Sequence, residues 1–264
     1  MKLRRKTIIA GSLVKVVDYT PPMPRDSEQR RRARHKATTA AQKCLNYRTA
    51  QGRLEERLAA NFSNRDYFIT CTYAKGNEPK SRRDVNRHKA QYARRIRNQR
   101  RRRKQDFRWV FAPEHRHGKG RWHLHAVINA ADQRIDIDEI KSLWPYGHVE
   151  ISRLFNSKHR FSTWLDIARY MTKERPEDGT DSTPVGAQIY SCSRNLTPPL
   201  VQSEWINEGE QLQIPSNAVV IEREGKQNEF GRYTYYKYMT APLYEEERQD
   251  TGKTPEKARD YEQK

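Results

Sequence analysis

Two histidines, two positions apart on a predicted strand, are the residues of this sequence best suited to chemistry. His123 and His125 lie in the segment 121–129, whose apolar and β-branched residues predict a β-strand. Alternate residues of a strand share a face, so both imidazoles point the same way while Leu124 points into the core. Two imidazoles at this spacing can bind one divalent metal ion, although a bare pair is also common on an ordinary amphipathic strand.

A carboxylate on the preceding strand is the candidate third ligand. If the hairpin closes over 115–120, Glu114 lies opposite Arg121, and Ala112 lies opposite His123. Cross-strand partners share a face, so this register puts Glu114 with both histidines and turns the aromatic residues of the hairpin away. One carboxylate and two imidazoles favour Mg²⁺ or Mn²⁺ bound together with phosphate oxygens, with Zn²⁺ as the alternative.

A tyrosine and a lysine share the surface of a predicted helix over 161–174. Tyr170 and Lys173 are three positions apart and therefore neighbours, and an adjacent cation helps a phenol to act as a nucleophile. The apolar stripe of this helix lies nearly opposite Tyr170. Tyr170 can reach the histidines only if the stripe packs on the N-terminal arm or on the segment after residue 187. Otherwise it is a surface tyrosine.

The elements that must position these residues follow the order strand, helix, strand, strand, helix, strand. The predicted strands are 67–73, 107–112, 121–129 and 148–152, and the predicted helices begin at Ser81 and Asp136. This order predicts an α+β fold with a ferredoxin-like (split βαβ) antiparallel sheet. We expect its first and third strands to be central, both helices on one face, and the other face open for the site. The helix of Tyr170 is additional.

The charge of the chain indicates a polyanionic partner. The 264 residues include 52 Lys and Arg against 33 Asp and Glu, a net charge of +19 that favours nucleic acid. Three cysteines are too few for a disulfide framework. No apolar run approaches the roughly 18 residues of a membrane span, and no secretory signal is evident, so we expect a cytoplasmic protein.

The positive charge is concentrated in one predicted helix. Residues 81–104 contain ten Arg and two Lys against one Asp, and a second basic run occupies 30–36. Such runs contact phosphates without reading sequence, or they are simply solvated. We predict DNA contacts from this helix and from the histidine face. The predicted residues are Arg94, Arg95, Arg101, Arg102, Arg121, Thr70 and Thr72.

Three motifs in order resemble those of the HUH endonucleases. Residues 68–73 (FITCTY) resemble the first motif, His123-Leu124-His125 the His-hydrophobic-His motif, and Tyr170–Lys173 the Tyr-x-x-Lys motif. Residues 144–147 and 192–196 add to the likeness, which covers about 66–200. The closest likeness is to the rolling-circle replication initiators of plasmids and single-stranded DNA phages.

The resemblance implies a mechanism and a division of the chain. Glu114, His123 and His125 would hold the metal ion, Tyr170 would form a 5′-phosphotyrosyl intermediate with a free 3′-OH, and Lys173 would stabilise the charge. The same enzyme would rejoin strands. Position 174 is Glu, so no second tyrosine follows one turn after Tyr170, which favours a single-tyrosine enzyme over the two-tyrosine replication proteins. A later tyrosine, Tyr190 or one within 233–238, is the alternative. The divisions are a basic, partly helical arm (1–60), an endonuclease domain (61–200), a C-terminal packing segment (201–243) and a disordered tail (244–264).

The implied partners are single-stranded DNA at a replication origin and the polymerase of a bacterial host. A host helicase is also implied, because the sequence contains no P-loop with which it could unwind DNA itself. The sequence leaves the oligomeric state open. Two alternatives remain. One is a single-tyrosine relaxase or transposase of the same superfamily. The other is a non-catalytic ferredoxin-like module, which would stack bases on exposed aromatic residues of its sheet.

Overall fold

The computed structural model describes residues 2–21, 40–115, 121–131, 136–155, 161–172, 188–228 and 231–240. The strands are β1 (Lys2–Ala10), β2 (Leu13–Tyr19), β3 (Tyr67–Tyr73), β4 (Trp109–His115), β5 (Trp122–Ile128), β6 (Gly147–Arg153), β7 (Ser191–Cys192), β8 (Leu200–Asn207), β9 (Val219–Asn228) and β10 (Gly231–Met239). The helices are α1 (Ala40–Asn61), α2 (Arg82–Arg102), α3 (Asp136–Ser142) and α4 (Trp164–Met171). Within these ranges no helix has both the length and the apolar character needed to cross a membrane.

One of the two five-stranded sheets has the predicted ferredoxin-like arrangement. Its strand order is β6-β3-β5-β4-β7, and every neighbouring pair is antiparallel. The first and third strands of the split βαβ motif, β3 and β5, lie between the other two, as the sequence predicted. The α+β, ferredoxin-like prediction is therefore confirmed, with the short β7 added at one edge.

Helices α2 and α3 cover one face of this sheet. α2 begins after Ser81, whose hydroxyl accepts a hydrogen bond from the backbone N–H of Asp84. The narrow apolar stripe of α2 packs into a core with α3 and with the aromatic and aliphatic residues of the strands. The buried members of this core include Tyr92, Ile96, Phe111, Leu124, Ala126, Ile128 and Ile140. The expectation that both helices of the motif lie on one face is therefore correct.

The pairing of β4 with β5 differs from the predicted register by two residues. Glu114 lies opposite His123 and Ala112 opposite His125, whereas the sequence placed Glu114 opposite Arg121. Because side chains of a strand alternate with a period of two, a shift of two leaves every residue on its predicted face. The remainder of the connection, residues 116–120, lies outside the described residues.

The face that carries the histidines is not open, and this corrects the expectation from the sequence. α1 and α4 pack against it through a second apolar core. The buried stripe of α4 recurs at helical spacing, as Trp164, Ile167, Ala168 and Met171, and contacts the Leu54 and Leu58 side of α1. Burying the apolar residues of this face against the two helices stabilises the fold, and it leaves only part of the sheet surface accessible.

The second sheet has the order β8-β1-β2-β10-β9 and is built from both ends of the chain. The sequence had placed residues 1–60 in a partly helical arm, but β1 and β2 form a hairpin in front of α1. Gly11, in the turn, has a φ of +59°, and a Cβ there would lie 2.4 Å from the carbonyl oxygen of Ala59. The predicted C-terminal packing segment, 201–243, contains β9, β10 and nearly all of β8. The tail 244–264 lies outside the described residues.

A buried charge cluster joins the second sheet to α1. Lys15 of β2 lies 2.8 Å from Glu55 and 3.0 Å from Glu56, and Lys237 of β10 pairs with Glu55. The Lys15, Lys237 and Glu55 side chains are each less than a tenth exposed. Buried charges require such partners because an unpaired one is costly to desolvate. The cluster therefore fixes α1 between the two sheets.

Candidate active site

His123 and His125 are held by hydroxyl groups of the neighbouring central strand. Thr72 lies opposite His123 and Thr70 opposite His125 in the pairing of β3 with β5. Each threonine Oγ1 is 3.2 Å from the Nδ1 of its histidine. A partner at Nδ1 fixes the orientation of an imidazole and directs its Nε2 toward whatever the ring binds. Strand pairing therefore orients both rings in the same way.

Glu114 lies on the same face, directly across from His123. Its Oε2 is in hydrogen-bond contact with the Nε2 of His125, and both of these residues are almost fully buried. His123 is only half-buried and forms the more accessible side of the group. The structure thus brings together the carboxylate and the two imidazoles that the sequence predicted would share a face.

Tyr170 reaches this group from α4. Thr163 and Asp166 form a reciprocal capping box that starts the helix, and the apolar stripe of the helix is directed toward α1. The ring of Tyr170 therefore faces the sheet, where its centroid lies 5.2 Å from that of His125 and 5.6 Å from that of Phe68. The packing of α4 on the N-terminal segment, one of the two arrangements that the functional interpretation required, is what the structure shows.

Two of the predicted metal ligands, Glu114 and His125, contact each other directly. In the described part of the chain, no three His, Cys, Asp or Glu side chains are arranged ready to hold a metal ion. The Glu114–His125 hydrogen bond satisfies both buried groups. Lys173 lies outside the described residues, so its predicted role beside Tyr170 stays a prediction.

The predicted DNA contacts divide between the two faces of the sheet. Thr70 and Thr72 are on the histidine face, where their hydroxyls meet the imidazoles. Arg121 is exposed just before β5. Arg95 donates a hydrogen bond to the carbonyl oxygen of Leu143, at 3.2 Å. The remaining predicted residues of α2 are exposed on the far side of the sheet. They are Arg94, Arg101 and Arg102.

The sequence interpretation missed the aromatic residues that hold Tyr170 in place. Phe68 and Phe161 meet its ring edge-on, with centroid distances of 5.6 and 5.4 Å. It also missed two contacts from α1, in which Tyr47 and Gln51 donate hydrogen bonds to Thr172 at the end of α4. Phe68 could have been identified from the sequence, because it lies two positions before Thr70 and therefore shares the same face of β3. The α1 contacts carry no short-range sequence signal.

Comparison with known proteins adds one result to this geometry. Residues 66–175 match a family model of replication-associated proteins, the ORF2 family. The matched segment is less than half of the chain and runs from the start of β3 to just beyond α4, so it contains Glu114, both histidines and Tyr170. The similarity supports a role in DNA replication. No curated protein and no solved structure matches the chain.

Proposed function

We propose that this protein is a replication initiator of the HUH type that nicks single-stranded DNA through Tyr170. The observation that carries the proposal is the position of the Tyr170 ring, 5.2 Å from His125, beside the buried Glu114. A phenol, two imidazoles and a carboxylate from three separate segments meet in one place. That place lies within the segment that resembles replication-associated proteins.

In the proposed reaction the phenolic oxygen of Tyr170 attacks a backbone phosphorus atom of the DNA. A bond forms between that oxygen and phosphorus while the bond from phosphorus to the 3′ oxygen breaks. The phenol gives up its proton and the departing oxygen gains one, which leaves a 5′-phosphotyrosyl protein and a free 3′-OH. One phosphodiester replaces another, so a later 3′-OH can reverse the step and join strands.

The residues fit a divalent cation by their chemistry. Carboxylate and imidazole groups are common ligands of divalent cations such as Mn²⁺, and a hydroxyl group at each Nδ1 leaves Nε2 as the ligand atom. Held by Glu114, His123 and His125, Mg²⁺ or Mn²⁺ would supply positive charge that polarises the scissile phosphate. The aromatic neighbours of Tyr170 fix the orientation of its ring.

The deciding experiment measures covalent protein–DNA adduct on a denaturing gel. The full-length protein is incubated with Mn²⁺ and labelled single-stranded circles. Tyr170→Phe, which removes only the hydroxyl, is expected to lower adduct formation at least about a thousandfold because the proposed ester forms on that oxygen. Glu114→Gln and His123→Ala are expected to raise the Mn²⁺ concentration needed for half-maximal adduct formation, because each removes a proposed ligand.

Tyr190→Phe is the matched control, since Tyr190 is the alternative nucleophile and desolvation of its half-buried side chain raises the pKa of its hydroxyl. It should form adduct as the wild type does. Adduct formation by Tyr170→Phe at the wild-type rate would show that the assignment is wrong. Failure of every single-stranded substrate to form an adduct would favour the non-catalytic binding module.

The proposed partners follow from the proposed reaction. Single-stranded origin DNA is the substrate, the free 3′-OH is extended by a host polymerase, and a host helicase opens the duplex. We place these steps in the cytoplasm of a bacterial host.

A further inference from the structure

The second sheet carries a row of aromatic and basic side chains that plays no part in the proposed cleavage. The row has one residue from each strand, in the order β8, β1, β2, β10 and β9. These are Trp205, Arg4, Tyr19, Tyr233 and Lys226. Residues paired in register share a face, so the five side chains lie in one line. At about 4.8 Å between strands, the line is about 19 Å long.

The row lies at the end of the sheet opposite to the Gly11 turn, and α1 packs on the same face near that turn. Trp205 is 58% exposed and Tyr233 is 40% exposed. The guanidinium carbon of Arg4 lies 5.1 Å from the centre of the Trp205 ring. This cation–π contact orients the indole while leaving most of it accessible.

The charge around the row is mostly positive. Lys2 and Lys6 lie on the same face as the arginine of the row, since alternate residues of β1 share a face. Lys226 adds a further cation at the other end of the row. Two glutamates of β9, Glu222 and Glu224, lie on this face but further along the strand, toward α1. Positive charge and exposed aromatic rings therefore coincide at one end of the sheet.

We propose that this face binds single-stranded DNA, with bases stacked on Trp205 and Tyr233 and phosphates bound by Arg4 and Lys226. Unpaired bases expose ring faces that stack on aromatic side chains, and a groove or strip of cations follows the backbone. A duplex hides those ring faces. DNA is chosen over RNA because residues 66–175 resemble replication-associated proteins. Binding here requires no cleavage by Tyr170.

The test measures the affinity of the full-length Tyr170→Phe protein for a labelled oligo-dT by fluorescence anisotropy. In that background Trp205→Ala is expected to weaken binding about five- to hundredfold, the range for loss of one base–aromatic stack. Arg4→Gln is expected to weaken binding and to reduce the slope of log affinity against log salt by about 0.7.

Two variants on the opposite face of the same sheet are the matched controls. Leu200 is nearly as exposed as Trp205 on the same strand, and Arg223 lies over the ring of Tyr236 as Arg4 lies over Trp205. Leu200→Ala and Arg223→Gln should bind as the parent does. Equal affinity of Trp205→Ala and Leu200→Ala would overturn the proposal.

Three further measurements with the same variants distinguish single-stranded DNA from other ligands of this face, namely duplex DNA, RNA and a second copy of the chain. An equal loss of affinity for a DNA hairpin duplex would reject base stacking, and tighter binding of oligo-U than of oligo-dT would assign the face to RNA. A change of oligomeric state in Trp205→Ala with unchanged DNA affinity would assign it to self-association. None of these results depends on whether Tyr170 is a nucleophile.

Discussion

Replacing Thr70 or Thr72 by valine tests how the histidine face is held, because each hydroxyl meets one imidazole. Both distances from Oγ1 to Nδ1 are 3.2 Å, so the two contacts are alike in length. They differ in their surroundings, since His125 is 2% exposed whereas His123 is half-buried. Water can therefore replace the lost hydroxyl more readily at His123 than at the buried His125.

The difference in burial sets the expected magnitudes. A hydrogen bond that water can replace contributes about 1 kcal/mol or less, whereas a buried polar atom left without a partner costs about 1–3 kcal/mol. We expect Thr70→Val to lower the free energy of unfolding by about 1–3 kcal/mol and Thr72→Val by less than about 1 kcal/mol. Removing an outer partner of a metal ligand also weakens metal binding by about 10- to 100-fold, so both variants should bind Mn²⁺ more weakly.

Urea denaturation gives the stabilities, titration calorimetry gives the Mn²⁺ affinities, and ¹⁵N NMR of the imidazoles reports which ring nitrogen carries the proton. Thr70→Ser keeps the hydroxyl and is expected to match the wild type in all three measurements. A Thr72→Val variant as unstable as Thr70→Val would refute the reasoning from burial. A Thr70→Ser variant no better than Thr70→Val would show that the methyl group, rather than the hydroxyl, is what matters.

Two further predictions concern stability. Glu55→Gln leaves Lys237 without its carboxylate and should lower the free energy of unfolding, measured in urea, by about 3–5 kcal/mol, whereas Glu56→Gln, at a more exposed side chain, should cost less. Burial lowers the pKa of His88 below its ordinary 6.5. Near that pH the unfolded chain therefore binds a proton that the folded chain does not, and the stability should fall as the pH falls through 6.5. His88→Gln should reduce the dependence of the melting temperature on pH between pH 7 and 5. A slope equal to that of the wild type would contradict the assignment.

The ferredoxin-like half of the fold was predictable because its signals are local. Alternation along β3, β4 and β5, the Ser81 cap and the helical spacing of Val85, Tyr92 and Ile96 each depend on a few neighbouring residues. Element order then limits the topology to very few arrangements. The site residues followed from the same alternation, since it assigns each side chain to a face.

The second sheet was not predictable in this way. Its strands come from residues 2–19 and 200–239, so the pairings that define it join positions about 200 apart. Arg4, Arg5 and Lys6 suggested a solvated basic arm, but Arg5 is buried against Asp18, with Nε 2.8 Å from Oδ1. No short-range pattern reveals that partner. The covering of the histidine face by α1 was missed for the same reason.

The pairing of β4 with β5 shows why the predicted faces of the side chains were correct although the predicted cross-strand partners were not. A slip of one residue would move Glu114, now 5% exposed beside His125, into the apolar core that Phe111 now occupies, and would bring Phe111 to the histidine face. Burying an unpaired carboxylate costs several kcal/mol, so odd slips are excluded by the sequence itself. A slip of two changes no face, and only the length of the connection after His115 selects among even registers. The observed register puts Glu114 directly across from His123 and in contact with His125. Glu114 is therefore closer to both imidazoles than the predicted pairing allowed.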